Sequence, residues 1–350
     1  MYGRDGALMA APFDAERLVV TGTPASIVDG LWTSPTYGTA YFASTANGVL
    51  AYVPGTGGVP QSPLVLVDRS GRPEPVGDQR NIASVRLSPK VDRAVVRAAG
   101  ANDTFWIQDL RRGSTFSRLM FRGNVSGAVW TPDGQRIIYN SANEIASIAA
   151  DMSGDDRTVH EDRFVGIPTS ITPDGKTVIY YTNRPGTTWD IWALSLEDGK
   201  THPVLNTSHS KTYPRLSPDG RWIAYTSNES GRPEVYVRPC PAPGRRSLIS
   251  RDGGTLPVWS PVWSAAGGEL YFWRGSDVYL ARVLVAGGDL EGDTPRKVPN
   301  AHVATAGLDR FDVTPDGRLL FVQTTPQPLP TSLNLITGWL DELAGRMPVR

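Results

Sequence analysis

Apolar residues recur along this chain in short runs that begin at tight turns. Four runs share one frame, in which Ser or Thr is followed by Pro-Asp-Gly, a polar residue and a stretch rich in β-branched and aromatic residues. They are TPDGQRIIY (131 to 139), TPDGKTVIY (172 to 180), SPDGRWIAY (217 to 225) and TPDGRLLFV (314 to 322). Pro fixes φ, Asp can bond the backbone beyond it, and Gly accepts a positive φ. The frame therefore predicts a hairpin turn rather than a chemical site.

Three weaker copies fill the gaps between these four. They are STANGVLAY (44 to 52), SPKVDRAVV (88 to 96) and SAAGGELYF (264 to 272). The turn positions are taken as Gly48, Asp92, Gly134, Gly175, Gly220, Gly267 and Gly317. Successive positions lie 41 to 50 residues apart, which is typical of propeller blades. A second hairpin between copies, clearest in residues 188 to 205, gives each period four strands.

These patterns predict an all-β fold, a single β-propeller of seven four-stranded blades, with six or eight blades as alternatives. Each repeat consists of a first hairpin, at the Pro-Asp-Gly turn, and a second hairpin that follows it. Residues 3 to 28 resemble a second hairpin with no first hairpin before it, and residues 309 to 322 resemble a first hairpin with no full second hairpin after it. We expect the N-terminal and C-terminal hairpins to pair in one blade and close the ring. The propeller then spans residues 1–332, and residues 333–350 add a strand and a short helix packed on the closing blade.

Composition narrows the possible partners. Lys plus Arg (35) balances Asp plus Glu (35), so no net field attracts nucleic acid or anionic lipid. The N-terminal segment lacks the pattern of a signal peptide, and no run is long enough to span a membrane. We expect no nucleic acid partner and no membrane insertion of this chain. The single cysteine, Cys240, is interpreted as a small core residue.

The chain resembles the TolB-like β-propellers, built from WD40-like PD repeats, that are attached to bacterial serine/threonine protein kinases. The resemblance covers nearly the whole chain and rests on residues 6 to 30, 217 to 260 and 314 to 343. It implies a sensing or protein-interaction module, extracytoplasmic if the chain is attached to a membrane kinase. Family members usually have Phe where Cys240 stands. The kinase motifs are missing from this sequence, so the resemblance carries no ATP chemistry with it.

Candidate ligand-binding residues lie in the predicted connections between blades, which line one rim of a propeller channel. Basic and aromatic side chains there can hold an anionic ligand or a segment of a partner protein. They are Arg80, Arg122, Arg163, His209, Lys211, Tyr213 and Arg310. No nucleophile elbow and no zinc motif of familiar spacing occurs, so no catalytic residue is assigned and no cofactor is expected.

The leading interpretation is thus a non-catalytic module that binds a protein or a small ligand at the channel rim. The alternative is a polysaccharide lyase or hydrolase that works in the channel with a divalent metal, as in oligogalacturonate lyases. Its weak candidate ligands are His160, His209 and His302, which we expect in the connections between blades.

Overall fold

Strands form where β-branched and aromatic residues are concentrated, and several are buried on both faces. In the strand Thr177–Asn183, every residue from Val178 to Thr182 is buried. All six residues of Trp222–Ser227 are buried as well. Strands of this kind must lie in a sheet that is covered by another layer on each side. The fold is therefore a stack of sheets.

A computed structural model describes residues 1–346 of the chain except 5, 34–38, 56–62, 78–81, 99–103, 112–115, 119–124, 155, 242–243, 252–257, 303–310 and 324–330. The described part is all-β apart from the helix Trp339–Arg346. No helix in it has the length and hydropathy needed to cross a membrane. The chain forms two compact units, Met1–Gln61 with Thr325–Arg350, and Ser62–Thr324.

The described residues of the second unit form six antiparallel sheets, which we label A to F. The strands of sheet A are Ile82–Leu87, Arg93–Ala98, Thr104–Asp109 and Phe116–Arg118. The strands of sheet B are Val125–Trp130, Arg136–Ser141, Glu144–Ala149 and Arg157–Glu161. The strands of sheet C are Ile167–Ile171, Thr177–Asn183, Trp189–Ser195 and Thr201–Leu205.

Sheets D to F follow the same antiparallel order. The strands of sheet D are Lys211–Leu216, Trp222–Ser227, Glu234–Pro239 and Ser247–Leu248. The strands of sheet E are Val258–Trp263, Glu269–Arg274, Asp277–Ala286 and Arg296–His302, with Asp289–Gly292 paired to the far end of the third strand. The strands of sheet F are Phe311–Val313, Leu319–Val322, Leu64–Val67 and Pro73–Pro75.

The core of the second unit lies between the sheets. Each pair of successive sheets shares one hydrophobic cluster, and sheets F and A share one as well. Between sheets B and C, for example, Ile145 packs with Tyr180. Between sheets F and A, Leu320 packs with Val85. Every sheet therefore buries both of its apolar faces.

Sheet F combines strands from the two ends of the second unit. The hairpin in residues 309 to 322 was predicted to pair with the hairpin in residues 3 to 28. Its strand Leu319–Val322 pairs instead with Leu64–Val67. The prediction was wrong because the short apolar run LVLV lies outside the Pro-Asp-Gly frame that identified the repeats.

The first unit contains the terminal segments. One sheet is formed by Tyr2–Arg4, Ala7–Ala10 and Ala25–Asp29, and a second by Phe42–Ser44, Val49–Tyr52 and Asn334–Thr337. Phe13–Asp14 pairs with Val19–Val20. Leu8, Leu31, Leu50 and Trp339 form the buried centre of this unit. The repeat copy in residues 44 to 52 thus lies in the first unit, and the second unit has six described sheets where seven blades were predicted for the chain.

The Pro-Asp-Gly turns hold their own polar groups. The Asp133 carboxylate accepts hydrogen bonds from the Thr131 hydroxyl at 2.6 Å and from the backbone N–H of Gln135 at 2.9 Å. Asp174 and Asp219 accept the equivalent pairs of bonds. The hydroxyl bond is the main reason that the pKa of Asp133 lies below its ordinary value of 3.8. These contacts confirm the structural role predicted for the motif.

The turn of sheet A departs from this pattern. Its backbone N–H at Val91 donates to the Ser88 carbonyl at 2.9 Å, which is the bond that Gly134 makes to Thr131 at 2.8 Å. Val91 therefore occupies the glycine position, with a φ of 53°. Asp92, taken as the turn position in the sequence, bonds the Ser88 hydroxyl at 2.8 Å and replaces the motif aspartate.

We expect Leu64→Ala to lower the free energy of unfolding by about 2–4 kcal/mol, because truncation leaves a cavity between sheets F and A. Leu64 is 0% exposed, whereas Leu284, in the third strand of sheet E, is 74% exposed. The control Leu284→Ala should change the free energy by less than about 0.5 kcal/mol. Urea denaturation followed by circular dichroism measures both. If both variants lower the free energy of unfolding by the same small amount, Leu64 does not lie in this core and the pairing in sheet F is contradicted.

Acid should destabilise the turns. The pKa values of Asp133, Asp174, Asp219 and Asp316 lie below 3.8 in the fold. Ionised carboxylates therefore stabilise the fold above the ordinary pKa, and this contribution disappears as the pH falls through the lowered values. We expect the Tm to fall as the pH drops below about 4, and Asp174→Asn to reduce the fall. An unchanged pH profile in that variant would argue against the turn bond.

Candidate functional site

The antiparallel order within each sheet decides which loops lie together. The Pro-Asp-Gly turn joins the first and second strands, and the loop between the third and fourth strands lies at the same end of the sheet. The turn between the second and third strands lies at the opposite end, together with the connection to the next sheet. We call this opposite end the connection end. The predicted rim residues that the structure describes lie at or near it.

Four of the predicted ligand-binding residues are described. Arg163 lies in the connection from sheet B to sheet C, and His209 in the connection from sheet C to sheet D. Lys211 and Tyr213 lie near the start of the first strand of sheet D. The structure thus brings His209, Lys211 and Tyr213 together. Outside the described residues lie Arg80, Arg122 and Arg310.

The three candidate metal ligands are not all in connections. His160 lies in the outer strand of sheet B, opposite Ile145, and its Nδ1 is 3.0 Å from the carbonyl oxygen of Gly199. His302 is the last residue of the strand Arg296–His302. Both were predicted to lie in connections. The prediction was wrong because the polar residues of an outer strand resemble those of a loop. In the described part of the chain, no group of three or more His, Cys, Asp or Glu side chains is placed to hold a metal ion.

A concavity of about 380 Å³ opens at the connection end of sheet B. It is lined by the second-to-third turn and by the start of the connection to sheet C, namely Ser141, Ala142, Asn143, Glu144, Glu161, Asp162 and Arg163. The backbone N–H of Asp162 donates to the Asn143 carbonyl at 2.8 Å and fixes the two segments together. Arg163 is exposed and lies 4.6 Å from the centre of the Phe164 ring. Arg163 therefore shares the concavity with the carboxylates of Glu144, Glu161 and Asp162.

An ion pair connects this concavity to sheet C. Asp162 accepts a hydrogen bond from the backbone N–H of Phe164 at 3.0 Å and pairs with the Arg184 guanidinium. Arg184 begins the turn between the second and third strands of sheet C, and its guanidinium lies 4.3 Å from the centre of the Trp192 ring. The partner side chains are only 26% and 19% exposed, so the pair is better shielded than a surface ion pair. It fixes the turn of sheet C beside the concavity.

Three aromatic rings, which we call the aromatic row, cross from sheet C to sheet D at the same end. Tyr181 lies 5.3 Å from Trp189 and 5.4 Å from Tyr213 between ring centres. Tyr181 is buried, Tyr213 is half-buried, and Trp189 is 36% exposed. Tilted rings at these distances attract each other beyond their buried area. The row presents an anchored aromatic surface to solvent.

The backbone at Tyr213 is strained. The pairing between the first two strands of sheet D shifts between Thr212 and Arg215, and within this bulge Tyr213 has a φ of 53°. A bulky residue in the left-handed region is unusual and must be held there by its surroundings. The bulge directs the Tyr213 ring to Tyr181, so the strain supports the aromatic row.

Lys211 is buried and fixes the connection that carries His209. Its Nζ donates to the His209 carbonyl at 2.6 Å and to the Thr207 hydroxyl. Burial lowers the pKa of the Lys211 ammonium, and the carboxylates of Asp190 and Glu229 partly oppose this effect. Lys211 is therefore a positioning residue for the loop rather than a ligand contact, while His209 is exposed.

Sequence reasoning missed the roles of Trp189, Tyr181 and the pair of Asp162 with Arg184. Trp189 shares the period-two face of Ile191, which is buried, but lies at the end of the strand, where the covering sheet stops. An aromatic residue at the end of a strand can therefore be predicted from the sequence to be half-exposed. Cys240 is half-buried and burial raises the pKa of its thiol, in line with its prediction as a packing residue.

No protein-family model matches the chain. An uncharacterized protein of Agrobacterium fabrum is 24% identical over 160 residues, which cover 41% of this chain and 53% of that protein. A protein named TolB homolog of Chlorobaculum tepidum is 27% identical over 109 residues, 31% of this chain and 25% of that protein. The chain thus spans about half or less of the length of these relatives.

Solved structures show the fold. A TolB-like protein of Agrobacterium tumefaciens matches 77% of this chain and 100% of its own length, with a TM-score of 0.61 and 17% identity. An oligogalacturonate lyase in complex with manganese matches 85% of this chain and 80% of its own length, with a TM-score of 0.51 and 11% identity. At these identities the likeness concerns architecture alone, and that architecture is TolB-like.

Lys211→Met should loosen the connection between sheets C and D without unfolding the protein. The change leaves the carboxylates of Asp190 and Glu229 without the ammonium that offsets their charge, so the Tm should fall, and Thr207 and His209 lose the ammonium that holds them. Amide hydrogen exchange in residues 206 to 210 should become faster. Exchange as slow as in the wild type would show that Lys211 does not fix this loop.

Proposed function

We propose that this TolB-like propeller is a non-catalytic binding module that holds a protein partner at the connection end. The observation that carries the proposal is the aromatic row, in which the half-exposed Trp189 is anchored on Tyr181. Anchored aromatic side chains contribute much of the binding energy at protein interfaces, because they bury large areas at low entropic cost. A small ligand with an apolar ring would use the same surface.

The two ends of the sheets support this assignment. At the Pro-Asp-Gly end, the motif carboxylates bond their own turns. At the connection end, the concavity of sheet B lies beside the ion pair of Asp162 with Arg184, and the aromatic row lies at the same end of sheets C and D. Varied loops on a repeated scaffold are a common place for specific recognition. Polar, ionic and aromatic contacts are thus available to a partner at one end of the sheets.

The proposal includes a closed ring of six blades in the second unit. The support is that sheets F and A share a hydrophobic cluster just as successive sheets do, and that the strand Phe311–Val313 contacts Ile82–Leu87. With both faces of every sheet covered, no apolar sheet face is left at an end of the stack.

A narrower role follows from the sequence resemblance, in which such propellers are attached to bacterial membrane protein kinases. We propose that the module senses a partner on behalf of such a kinase, outside the cytoplasm. The support is the resemblance over residues 217 to 260. The alternative, a lyase or hydrolase with metal-bound histidines, has the fold likeness to oligogalacturonate lyase in its favour.

The test is a selection of binding peptides from a random display library on the intact protein. We expect selected peptides to lose at least tenfold in affinity to Trp189→Ala combined with Arg163→Ala, since loss of an interface anchor costs about 2 kcal/mol or more. Phe13→Ala, which removes an aromatic residue that is 55% exposed in the first unit, is the matched control.

The turn carboxylates give the opposite control. Asp174→Ala with Asp219→Ala should lower the Tm and leave peptide affinity unchanged, because these side chains bond their own turns. If the turn variants weaken peptide binding and Trp189→Ala does not, the binding surface lies at the Pro-Asp-Gly end and the proposal is wrong. Isothermal titration calorimetry and differential scanning calorimetry supply the two measurements.

A further inference from the structure

One sheet of the first unit has one face in the core and the other face open to solvent. We call it the terminal sheet, and its strands, in order across the sheet, are Phe42–Ser44, Val49–Tyr52 and Asn334–Thr337. Leu50 and Ile336 belong to the hydrophobic cluster of the unit. On the opposite face, Ala43, Ala51 and Leu335 stand in one row across the three strands. Leu335 is 65% exposed, so this row forms an apolar surface in water.

The strand Asn334–Thr337 is an edge strand without a charged residue. Among the described residues it pairs on one side only, with Val49–Tyr52. Edge strands are usually protected by lysine, proline, a bulge or a short length. Here no residue from 331 to 340 is charged or a proline, the register is regular, and Leu333 beside the strand is 59% exposed. Short length is the one protection left, so this edge can accept a further strand.

The hydrogen bonds of the terminal sheet fix which backbone groups point to the open edge. The N–H of Gly338 donates to the Gly48 carbonyl at 2.8 Å, in the register that joins the edge strand to the central strand. In an antiparallel pair, every second residue bonds to the same neighbour, so Ile336 also bonds to the central strand. The N–H and C=O groups of Leu335 therefore point to the open edge, where no described strand meets them.

A second copy of the edge strand satisfies both the backbone and the side chains. Antiparallel pairing about a two-fold axis places Leu335 opposite Leu335 of the second copy, where the two residues exchange both of their backbone hydrogen bonds. The cores of both copies then lie on the same side of one six-stranded sheet. A shift of the register by one residue would instead place core side chains of one copy on the open face of the other.

Charge favours a second copy over a strand of another protein. In a two-fold contact the same patch meets itself, so an edge with a net charge would repel its own copy. No residue from 331 to 340 carries a charge, so nothing on this edge opposes self-pairing. Contacts between different proteins are commonly selected by complementary charges, and this edge offers none to a foreign strand.

We propose that the chain forms a dimer through the edge Asn334–Thr337, with Leu335 at the two-fold axis. The contact joins backbone groups that point to solvent in the single chain, and it buries part of the exposed Leu335 side chains. The contact lies on the first unit, so the proposal is independent of the partner surface proposed on the second unit.

The first test is the mass of the full chain by sedimentation velocity. We expect a concentration-dependent dimer between about 1 and 100 µM. Leu335→Lys should weaken self-association at least tenfold, because like charges directly opposite each other in a sheet repel. Its Tm should change little, since the side chain is exposed. Leu284→Lys, at a leucine that is 74% exposed in the second unit, is the matched control and should dimerise as the wild type does.

A wild type that is monomeric at about 100 µM overturns the proposal, also where a strand of another protein occupies the edge. Ala43→Lys separates edge pairing from stacking of the open faces, because it places a charge on the open face at the opposite edge of the terminal sheet. Edge pairing predicts an unchanged dimer in this variant. Loss of the dimer in Ala43→Lys would show that the open faces stack and would overturn the proposal.

A disulfide tests the register of the contact. Opposite residues of a bonded antiparallel pair have their Cα atoms about 5.5 Å apart, which is within disulfide range. Leu335→Cys in a Cys240→Ser background, which removes the single native cysteine, should therefore form a covalent dimer on oxidation. Leu284→Cys in the same background should not. A Leu335→Cys protein that dimerises without forming the disulfide would contradict the proposed axis. Peptide binding at the connection end should be the same in wild type and Leu335→Lys, which separates these tests from that of the proposed function.

Discussion

Each sheet of the second unit has two apolar faces, and the need to bury both of them governs the rest of the structure. Strands such as Thr177–Asn183 have no polar face to offer to water. A stack with free ends would leave two apolar faces exposed. Sheet F removes this problem, because Leu64–Val67 brings the start of the unit to its end and lets the last sheet pack on the first. Insertions and departures from the repeat must then lie in the loops at the two ends of the strands.

The two ends of the strands solve different problems. At the Pro-Asp-Gly end, the carboxylates satisfy backbone N–H groups and the glycines let turns pack against prolines. Repetition is an advantage there, because each turn must fit the next one. At the connection end, the contacts differ from sheet to sheet, as with the ion pair of Asp162 and Arg184 and the bulge at Tyr213. Differences of this kind give each sheet its own surface at this end, and the proposed recognition of a partner depends on them.

Much of the fold could be predicted from the sequence, because the Pro-Asp-Gly frame couples a turn with a mechanism to strands on both sides. The strand Leu64–Val67 could not, since four apolar residues carry no information about a partner more than 250 positions away. The position of His160 failed for a related reason: an exposed outer strand has the polarity of a loop. Trp189 was assigned to the correct strand, but the aromatic row to which it belongs is completed by Tyr213 of the next sheet. Contacts between sheets are set by the three-dimensional stacking and not by local pattern.

The turn of sheet A shows how a repeat can keep a turn without its glycine. A glycine at position 91 would satisfy both backbone conformation and turn packing, as it does at Gly134 and Gly175. Val91 adopts its positive φ under strain, yet Asp92 accepts the bond from the Ser88 hydroxyl that holds the turn. The turn is thus retained with valine at the glycine position and with its aspartate moved by two residues. Because the sheets on both sides share a hydrophobic core, this change in the turn stays at the ends of the strands and leaves the stack of sheets intact.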